Sequence, residues 1–323
     1  MKKILITGAN GFVGSYLAQF LSLQGYEVTA LVRHTAKCEL LPANVRLIRT
    51  DYCAYDLIKA FIGQDVIIHT AATVRARKWD DYYDINVSLT EKMIEAYHQS
   101  EDPTHFIFMS SQAAAGMAQT GQQKHEDDPC TPISDYGRSK LLAEQKIREL
   151  CTKPWTIVRP ASVYGPGDKD FLIFFKTVKN HFSLHIGNPN KNISLIYVNE
   201  LAEFIQRVME SKESHNQIFF ASDGHTYKQD DFVNGLEHVI PTWTLEVHIP
   251  DLILYPAAAF SEIGGFITKK APVLNWQKKD ELLGKNWVVS IEKAKNLLGF
   301  DPEPNLISNL QNTYKWYKQK GWL

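Results

Sequence analysis

Cysteine is scarce in this chain: there are four in 323 residues, Cys38, Cys53, Cys130 and Cys151, and no Cys-x-x-Cys pair. That excludes a disulfide framework and a thiolate zinc site, and it suits a reducing, cytoplasmic compartment. The 11 histidines are read as surface or packing residues, so no metal is expected. An excess of one charge is also absent. Lys and Arg total 35 against 36 Asp and Glu, a net charge of -1. This leaves no basic face for nucleic acid and no electrostatic draw toward an anionic membrane. Long hydrophobic runs are missing too, and nothing reaches the ~20 apolar residues of a membrane span. The nearest stretch, Ile249 to Ile267, is interrupted by Pro250, Asp251, Pro256, Glu262 and paired glycines, and is read as an apolar substrate-lobe segment. The apolar start Ile4-Leu5-Ile6 is cut short by Gly8-Ala9-Asn10-Gly11, so it has no signal-peptide core.

What is present is an alternation. Short β-branched runs at Lys3–Thr7, Glu27–Val32, Arg46–Arg49, Val66–His69, His105–Met109 and Trp155–Arg159 read as strands. Helical patterns lie between them near Phe12–Leu23, Tyr55–Ile62, Ile85–Gln99 and Tyr136–Leu150. That order predicts an α/β fold, a doubly wound parallel sheet with ligands at the carboxyl ends of its strands. The length suits a large domain plus a smaller, mostly C-terminal substrate lobe. Residues 1–165 are assigned to the sheet domain, 166–323 mainly to the lobe, with a return to the sheet domain over 194–222. The turn cluster Gly165-Pro166-Gly167 marks the exit. A terminal helix over Ile307–Trp322 is expected to pack by Leu310, Tyr314 and Tyr317.

Between the first strand and the first helix stands Thr7-Gly8-Ala9-Asn10-Gly11-Phe12-Val13-Gly14. Gly8 permits a tight turn, Gly11 lets backbone approach a pyrophosphate, and Gly14 lets the helix lie close. The helix start then offers N–H groups to phosphate, which makes Asn10, Phe12 and Val13 cofactor-contact candidates with the three glycines. In NAD enzymes a carboxylate ending strand two binds the ribose 2′-OH, whereas an arginine accommodates the 2′-phosphate of NADP. Here Val32 takes the acid's place and Arg33 follows, so NADP is expected as the preferred cofactor, with NAD as the alternative.

Tyr136 and Lys140 lie at i and i+4, on one face of a helix. A phenol near pKa 10 needs its phenolate stabilised before it works near neutrality, and an ammonium one turn away is suited to that. Two other Tyr-x-x-x-Lys pairs, Tyr55/Lys59 and Tyr314/Lys318, fall on an outer helix and on the terminal helix. Only Tyr136 opens the helix that follows strand five, whose end Met109-Ser110-Ser111 lies at the sheet's carboxyl edge.

The spacing GxxGxxG, in TGANGFVG, resembles the opening of the extended short-chain dehydrogenase/reductase family, and the likeness continues through Arg159-Pro160-Ala161-Ser162-Val163-Tyr164-Gly165-Pro166-Gly167. The resemblance implies an NAD(P)-dependent oxidoreductase with Ser111, Tyr136 and Lys140 as its catalytic set. Ser111 would bond the substrate oxygen, Tyr136 would move the hydroxyl proton, and Lys140 would also hold the nicotinamide ribose. By the same resemblance Asp51, Tyr52, Thr70, Ala71, Ala72, Asn86, Ser110, Pro160, Ala161 and Val163 join the cofactor site. His69 is read as packing, Asn86 alternatively as a helix-surface residue, and a homodimer is implied.

Within that family, nucleotide-sugar epimerases and dehydratases usually carry a diphosphate-binding arginine at the start of a strand resembling RDYIHV. Ile193 stands in that place here, and no arginine occurs in Gln217–Leu283. The lobe instead offers Phe171, Leu172, Phe174, Phe175, Leu252, Leu254, Tyr255, Phe260 and Phe266. The chain is therefore read as resembling the dihydroflavonol 4-reductase/3β-hydroxysteroid dehydrogenase-like branch, interconverting a carbonyl and an alcohol on a small apolar substrate. A nucleotide-sugar epimerase or dehydratase is the alternative, and an NADP(H)-sensing protein without turnover a third reading.

Overall fold

The six short apolar runs of the first half, joined by one later strand, assemble into one seven-stranded sheet. A computed structural model describes residues 2–186, 191–250, 280–281, 283–284 and 286–323. The expected lobe residues Leu252, Leu254, Tyr255, Phe260 and Phe266, and most of the 249–267 run, lie outside the described residues. Strands β1 (Lys3–Thr7), β2 (Glu27–Arg33), β3 (Arg46–Thr50), β4 (Val66–His69), β5 (His105–Met109) and β6 (Trp155–Pro160) alternate with helices α1 (Phe12–Leu23), α2 (Ala54–Phe61), α3 (Trp79–Tyr82), α4 (Leu89–Gln99), α5 (Gln112–Ala115) and α6 (Asp135–Leu150). With a later strand, β11 (Gln217–Ala221), at one edge, every pairing within this sheet is parallel and the order is β11-β6-β5-β4-β1-β2-β3. The chain reverses direction of build between β1 and β4, and that switch point opens a crevice at the carboxyl edge.

Side-chain alternation sorts the core onto two faces. Ile4 and Ile6 face α1 and α8 (Val198–Glu210), where Leu17, Leu21, Leu201, Phe204 and Ile205 are fully buried. Leu5, Ile67, Phe106 and Phe108 face α2, α4 and α6, against Leu57, Phe61, Met93, Tyr97 and Ile147. Each such side chain contributes roughly 1.5–3 kcal/mol by leaving water, so both faces of the sheet are closed and its edge positions the site. The helix expected from Ile85 is longer: α3 passes through a wide π-helical turn, Tyr83–Ser88, into α4.

After β6 the chain makes β7 (Ser162–Tyr164), α7 (Leu172–Lys179), β8 (Phe182–Ile186), β9 (Asn192–Ile193) and β10 (Leu195–Tyr197). The Ser194–Val198 segment does not rejoin the main sheet; β10 pairs with β7 in a separate two-stranded sheet. Return to the main sheet comes with β11 (Gln217–Ala221), which adds an edge beside β6 and was not among the expected strands. Beyond it lie β12 (Tyr227–Lys228), α9 (Gln229–Val239), β13 (Leu245–Ile249), β14 (Asn286–Trp287), α10 (Glu292–Leu298) and α11 (Leu306–Gln319). Helices α7, α9 and α11 close a third core built on Tyr164, Phe175, Phe232, Leu310 and Tyr317. The sequence does hold one His-x-x-x-His pair, His181/His185, but it runs into a strand: His181 stacks on Trp243 and His185 bonds Asp230. Among the described residues, no helix is long and apolar enough to cross a membrane.

Candidate active site

The glycine turn divides its labour as its geometry demands. Gly8 has φ +65°, and a Cβ there would lie 2.6 Å from the Ala71 backbone; a Cβ on Gly14 would lie 2.5 Å from the Gly8 carbonyl oxygen. Gly11 is different. Its Cβ would meet only the Gly8 oxygen at 3.3 Å, so its missing side chain opens the turn outward. Helix α1 starts there with no side-chain cap and no acid in its first turn, which leaves a helix N-terminus with exposed partial positive charge. Such a turn fits a dinucleotide pyrophosphate. Asn10 and Gly11 are exposed and Phe12 and Val13 half-buried, and Gly167, on the segment after β7, passes beside the Phe12 ring.

At the far end of the crevice Val32 is fully buried and Arg33 exposed. The loop after β2 is held by Arg49, whose guanidinium donates to the carbonyls of Arg33, His34 and Ala36 at 3.3, 2.8 and 3.0 Å. Asp51 is exposed and 3.9 Å from His34. The Tyr52 ring is buried; its hydroxyl donates to the Leu31 carbonyl at 3.2 Å and also meets the Gly8 backbone, which sets it against the glycine turn.

Beyond β4, the Thr70 hydroxyl donates to the Thr7 carbonyl at 2.6 Å and the Ala71 N–H donates to the Thr7 hydroxyl, fixing Thr70, Ala71 and exposed Ala72 beside the glycine turn. His69 is buried between the Thr7 and Thr90 hydroxyls, and burial drives its pKa down to about 3, keeping the ring neutral. Asn86 is not on a helix surface. The π-turn buries it, and its amide bonds the Thr73 backbone at 2.8 and 3.0 Å and the Ser139 hydroxyl at 2.8 Å. It ties the strand-four loop to α6, with both ends of its side chain used by protein.

At the centre, Ser111 hydrogen-bonds the Tyr136 phenol. Ser111 also caps α5, its oxygen accepting from the Ala113 N–H. Lys140 is 2% exposed, donates to the Met109 carbonyl at 2.7 Å and lies 4.5 Å over the Phe108 ring. Desolvation raises Tyr136 to about 12, with the Ser111 bond pulling the other way, and lowers Lys140 to about 7 against the Glu144 carboxylate. Ser110 turns away from the crevice, its hydroxyl donating to Glu144 at 2.5 Å. Pro160 ends the adjacent strand β6 and Val163 lies in β7; between them the Ala161 N–H donates to the Ala221 carbonyl at 2.8 Å. The competing pairs fall elsewhere: Tyr55 is 72% exposed on α2, and Lys318 lies over its own Tyr314 on α11.

Two participants had not been anticipated. Glu144, one turn past Lys140, receives a bidentate Arg159 at 3.0 and 2.6 Å with both side chains nearly fully buried; the i+4 spacing was the available signal. Glu281 arrives from the lobe, accepts from the Ser134 hydroxyl at 2.5 Å and raises Tyr136 electrostatically. Nothing local in its sequence marks it.

The profile of the NAD dependent epimerase/dehydratase family matches residues 4–221, two thirds of the chain. The chain belongs to that family. It is 30% identical to a UDP-glucose 4-epimerase of Vibrio cholerae, covering 98% of this chain and 96% of that one. It is 25% identical to a ceramide reductase of Caulobacter vibrioides, covering 99% and 96%. The crystal structure of gox2253 superposes with TM-score 0.82 at 24% identity, covering 99% of both chains. MoeE5, solved with UDP-glucuronic acid and NAD, gives 0.78 at 21% over 98% and 99%. Family membership and fold make this an NAD(P)-dependent enzyme of the extended short-chain dehydrogenase/reductase type.

Proposed function

We propose that this enzyme interconverts a carbonyl and an alcohol on a small, largely apolar substrate, with Tyr136 exchanging the hydroxyl proton. The observation that carries the reading is the juxtaposition of Ser111, Tyr136 and Lys140 at the carboxyl edge of the sheet. The cofactor supplies hydride transfer. Gly8, Gly11 and Gly14 with the first turn of α1 would receive its pyrophosphate, and Lys140 its nicotinamide ribose. Ser111 donates to the substrate oxygen and stabilises charge developing there. With its phenol held at about 12, Tyr136 is a proton donor across the neutral range, as carbonyl reduction requires. To act as base in the reverse direction it needs positive charge brought close to it. Arg33, with Val32 in the acid's place, favours NADPH over NADH.

Substrate class follows from the lobe. Ile193 occupies the position of the diphosphate arginine and packs against the aromatic core of Tyr164, Tyr197 and Tyr227. An apolar wall is a poor clamp for phosphate, which pairs best with the planar guanidinium fork. A second reading, nucleotide-sugar epimerase, is favoured by the Vibrio cholerae relative. Two measurements separate them: calorimetric titration of UDP into cofactor-saturated protein, and cofactor oxidation across a panel of ketones and aldehydes with Tyr136→Phe as control. We expect no UDP binding and turnover abolished in Tyr136→Phe with cofactor binding retained. Micromolar UDP binding would replace the reductase by the epimerase, and an active Tyr136→Phe would sink both.

A further inference from the structure

Three consecutive residues at the end of β5 are each held by one face of α6. The Met109 carbonyl accepts from Lys140 at 2.7 Å, the Ser110 hydroxyl donates to Glu144, and Ser111 bonds the Tyr136 phenol. Tyr136, Lys140 and Glu144 follow at intervals of four, so they stack on a single helical stripe. Two of the three are the residues to which proton exchange and ribose binding have just been assigned. The third meets neither substrate nor cofactor: Glu144 is 1% exposed and bonds only to neighbours inside the protein, Ser110 and Arg159.

We propose that Glu144 is a positioning residue of the catalytic set, one carboxylate that locks the Lys140 turn of α6 to the end of β5 and keeps Lys140 charged. This rests on the functional reading above. A buried ion pair can be nothing more than packing, and exchange for apolar residues is often neutral. Two features go beyond packing. The Glu144–Arg159 pair spends a third bond on Ser110, the residue adjoining Ser111. The carboxylate also stands one turn from a buried ammonium.

Among the described residues, the titratable groups around Lys140 and its Tyr136 neighbour can be named. From β4 comes His69, held neutral; from α6 come Tyr136 and Glu144; from β6 comes Arg159, engaged by Glu144 and beside Cys130; and Glu281 reaches Tyr136 from the lobe. β5 itself offers a carbonyl and the Phe108 ring. Burial lowers Lys140 to about 7 and Glu144 is what opposes it. Without that carboxylate the ammonium gives up its proton at lower pH.

The test follows reduced-cofactor binding by fluorescence between about pH 6 and pH 9, using whichever of NADH and NADPH binds tighter, with a thermal melt of each variant. In the wild type, affinity is expected to fall as the pH rises through about 7, where Lys140 would lose its charge. Glu144→Gln/Arg159→Met removes both charges and so leaves no unpaired guanidinium. It is expected to melt near the wild type with that fall moved about one pH unit to the acid side. A profile superimposable on the wild type would overturn the proposal and reduce the pair to packing. Ser110→Ala cuts the strand–helix tie without unpairing a charge. With 9,10-phenanthrenequinone as acceptor it should lose kcat several-fold at unchanged KM, and an unchanged kcat would equally overturn the positioning role. Lys140→Met reports on the underlying reading: should it keep the wild-type pH profile, Lys140 is not at the cofactor, and that reading fails whatever Glu144 does.

Discussion

Alanine at Gly14 and alanine at Gly11 should damage different properties of the protein, although the two glycines are three residues apart. At Gly14 the new methyl would lie 2.5 Å from the Gly8 carbonyl oxygen, 2.9 Å from Ala9 Cα and 2.8 Å from the Thr70 hydroxyl. The first two are backbone, and Thr70 is itself anchored to the Thr7 carbonyl, so no flexible side chain can yield. Overpacking of this kind costs ~1–3 kcal/mol. With backbone on two sides the upper end applies, a melting point lower by roughly 5 °C for a chain of this size. At Gly11 the methyl meets only the Gly8 oxygen at 3.3 Å, and φ is an ordinary −79°. The fold should therefore hold within about 0.5 kcal/mol. The methyl projects toward the open side of the turn, where a pyrophosphate must approach the α1 N–H groups. Cofactor affinity should fall by ten- to a hundredfold, ~1.4–2.7 kcal/mol. Thermal melting without cofactor and fluorescence titration with NADH and NADPH read the two axes separately. Wild-type affinity in Gly11→Ala, or a wild-type melting point in Gly14→Ala, would refute the division of roles.

Two further outcomes follow. Arg33→Ala should weaken NADPH roughly tenfold and leave NADH almost unchanged; equal losses for both cofactors would mean that Arg33 is a solvated strand-end charge. His69, held neutral at about 3 inside the fold, titrates near 6.5 once unfolded. The unfolded state then binds more protons below 6.5, so stability present above that pH is lost as pH falls toward 3. At pH 5 the loss is ~2 kcal/mol. Glu200, raised to about 7 by burial and by Asp223, works with opposite sign, so the comparison must be between variants. Denaturation of His69→Gln and wild type at pH 7 and pH 5 should show the wild type losing ~2 kcal/mol relative to the variant, and parallel losses would remove His69 from the account.

How much of this was legible beforehand depended on the kind of information each feature needs. Strands β1, β4 and β5 match the expected bounds because each is built on a continuous apolar run (Ile4–Ile6, Val66–Ile68, Phe106–Met109) followed by a change of composition, such as Thr7-Gly8 or Met109-Ser110. The wide turn at Tyr83–Ser88 was invisible, since residues from Trp79 to Gln99 keep a helical pattern whether one turn is wide or not. Strand β11 falls inside the expected return to the sheet domain over 194–222 but was not itself among the expected strands, because Gln217-Ile218-Phe219-Phe220-Ala221 is a short apolar run without alternation; its pairing with β6 reveals the edge. Tyr52 was expected at the cofactor site through the family resemblance alone; its φ of +60°, its burial and its bond to the Gly8 backbone are announced by no local pattern.

The same distinction separates the centre of the site from its surroundings. Tyr136 and Lys140 are linked by spacing along one helix, and the order of strands says which Tyr-x-x-x-Lys pair reaches the carboxyl edge. Glu144 extends that stripe by one further turn and was equally available to the same reasoning. It went unused because a carboxylate at i+4 from a lysine is ordinarily a solvated surface pair worth little. Burial inverts that judgement: with Lys140 2% and Glu144 1% exposed, neither charge can be left without a partner cheaply. Glu281 is the opposite case. It lies 145 residues from Tyr136 in the chain, and its approach to Ser134 at 2.5 Å is created entirely by how the lobe folds back. The regular spacing of a helix face therefore reaches Tyr136, Lys140 and Glu144, the proposed proton-transfer group and its proposed support, while Glu281 is brought to Ser134 by a contact with no sequence period at all.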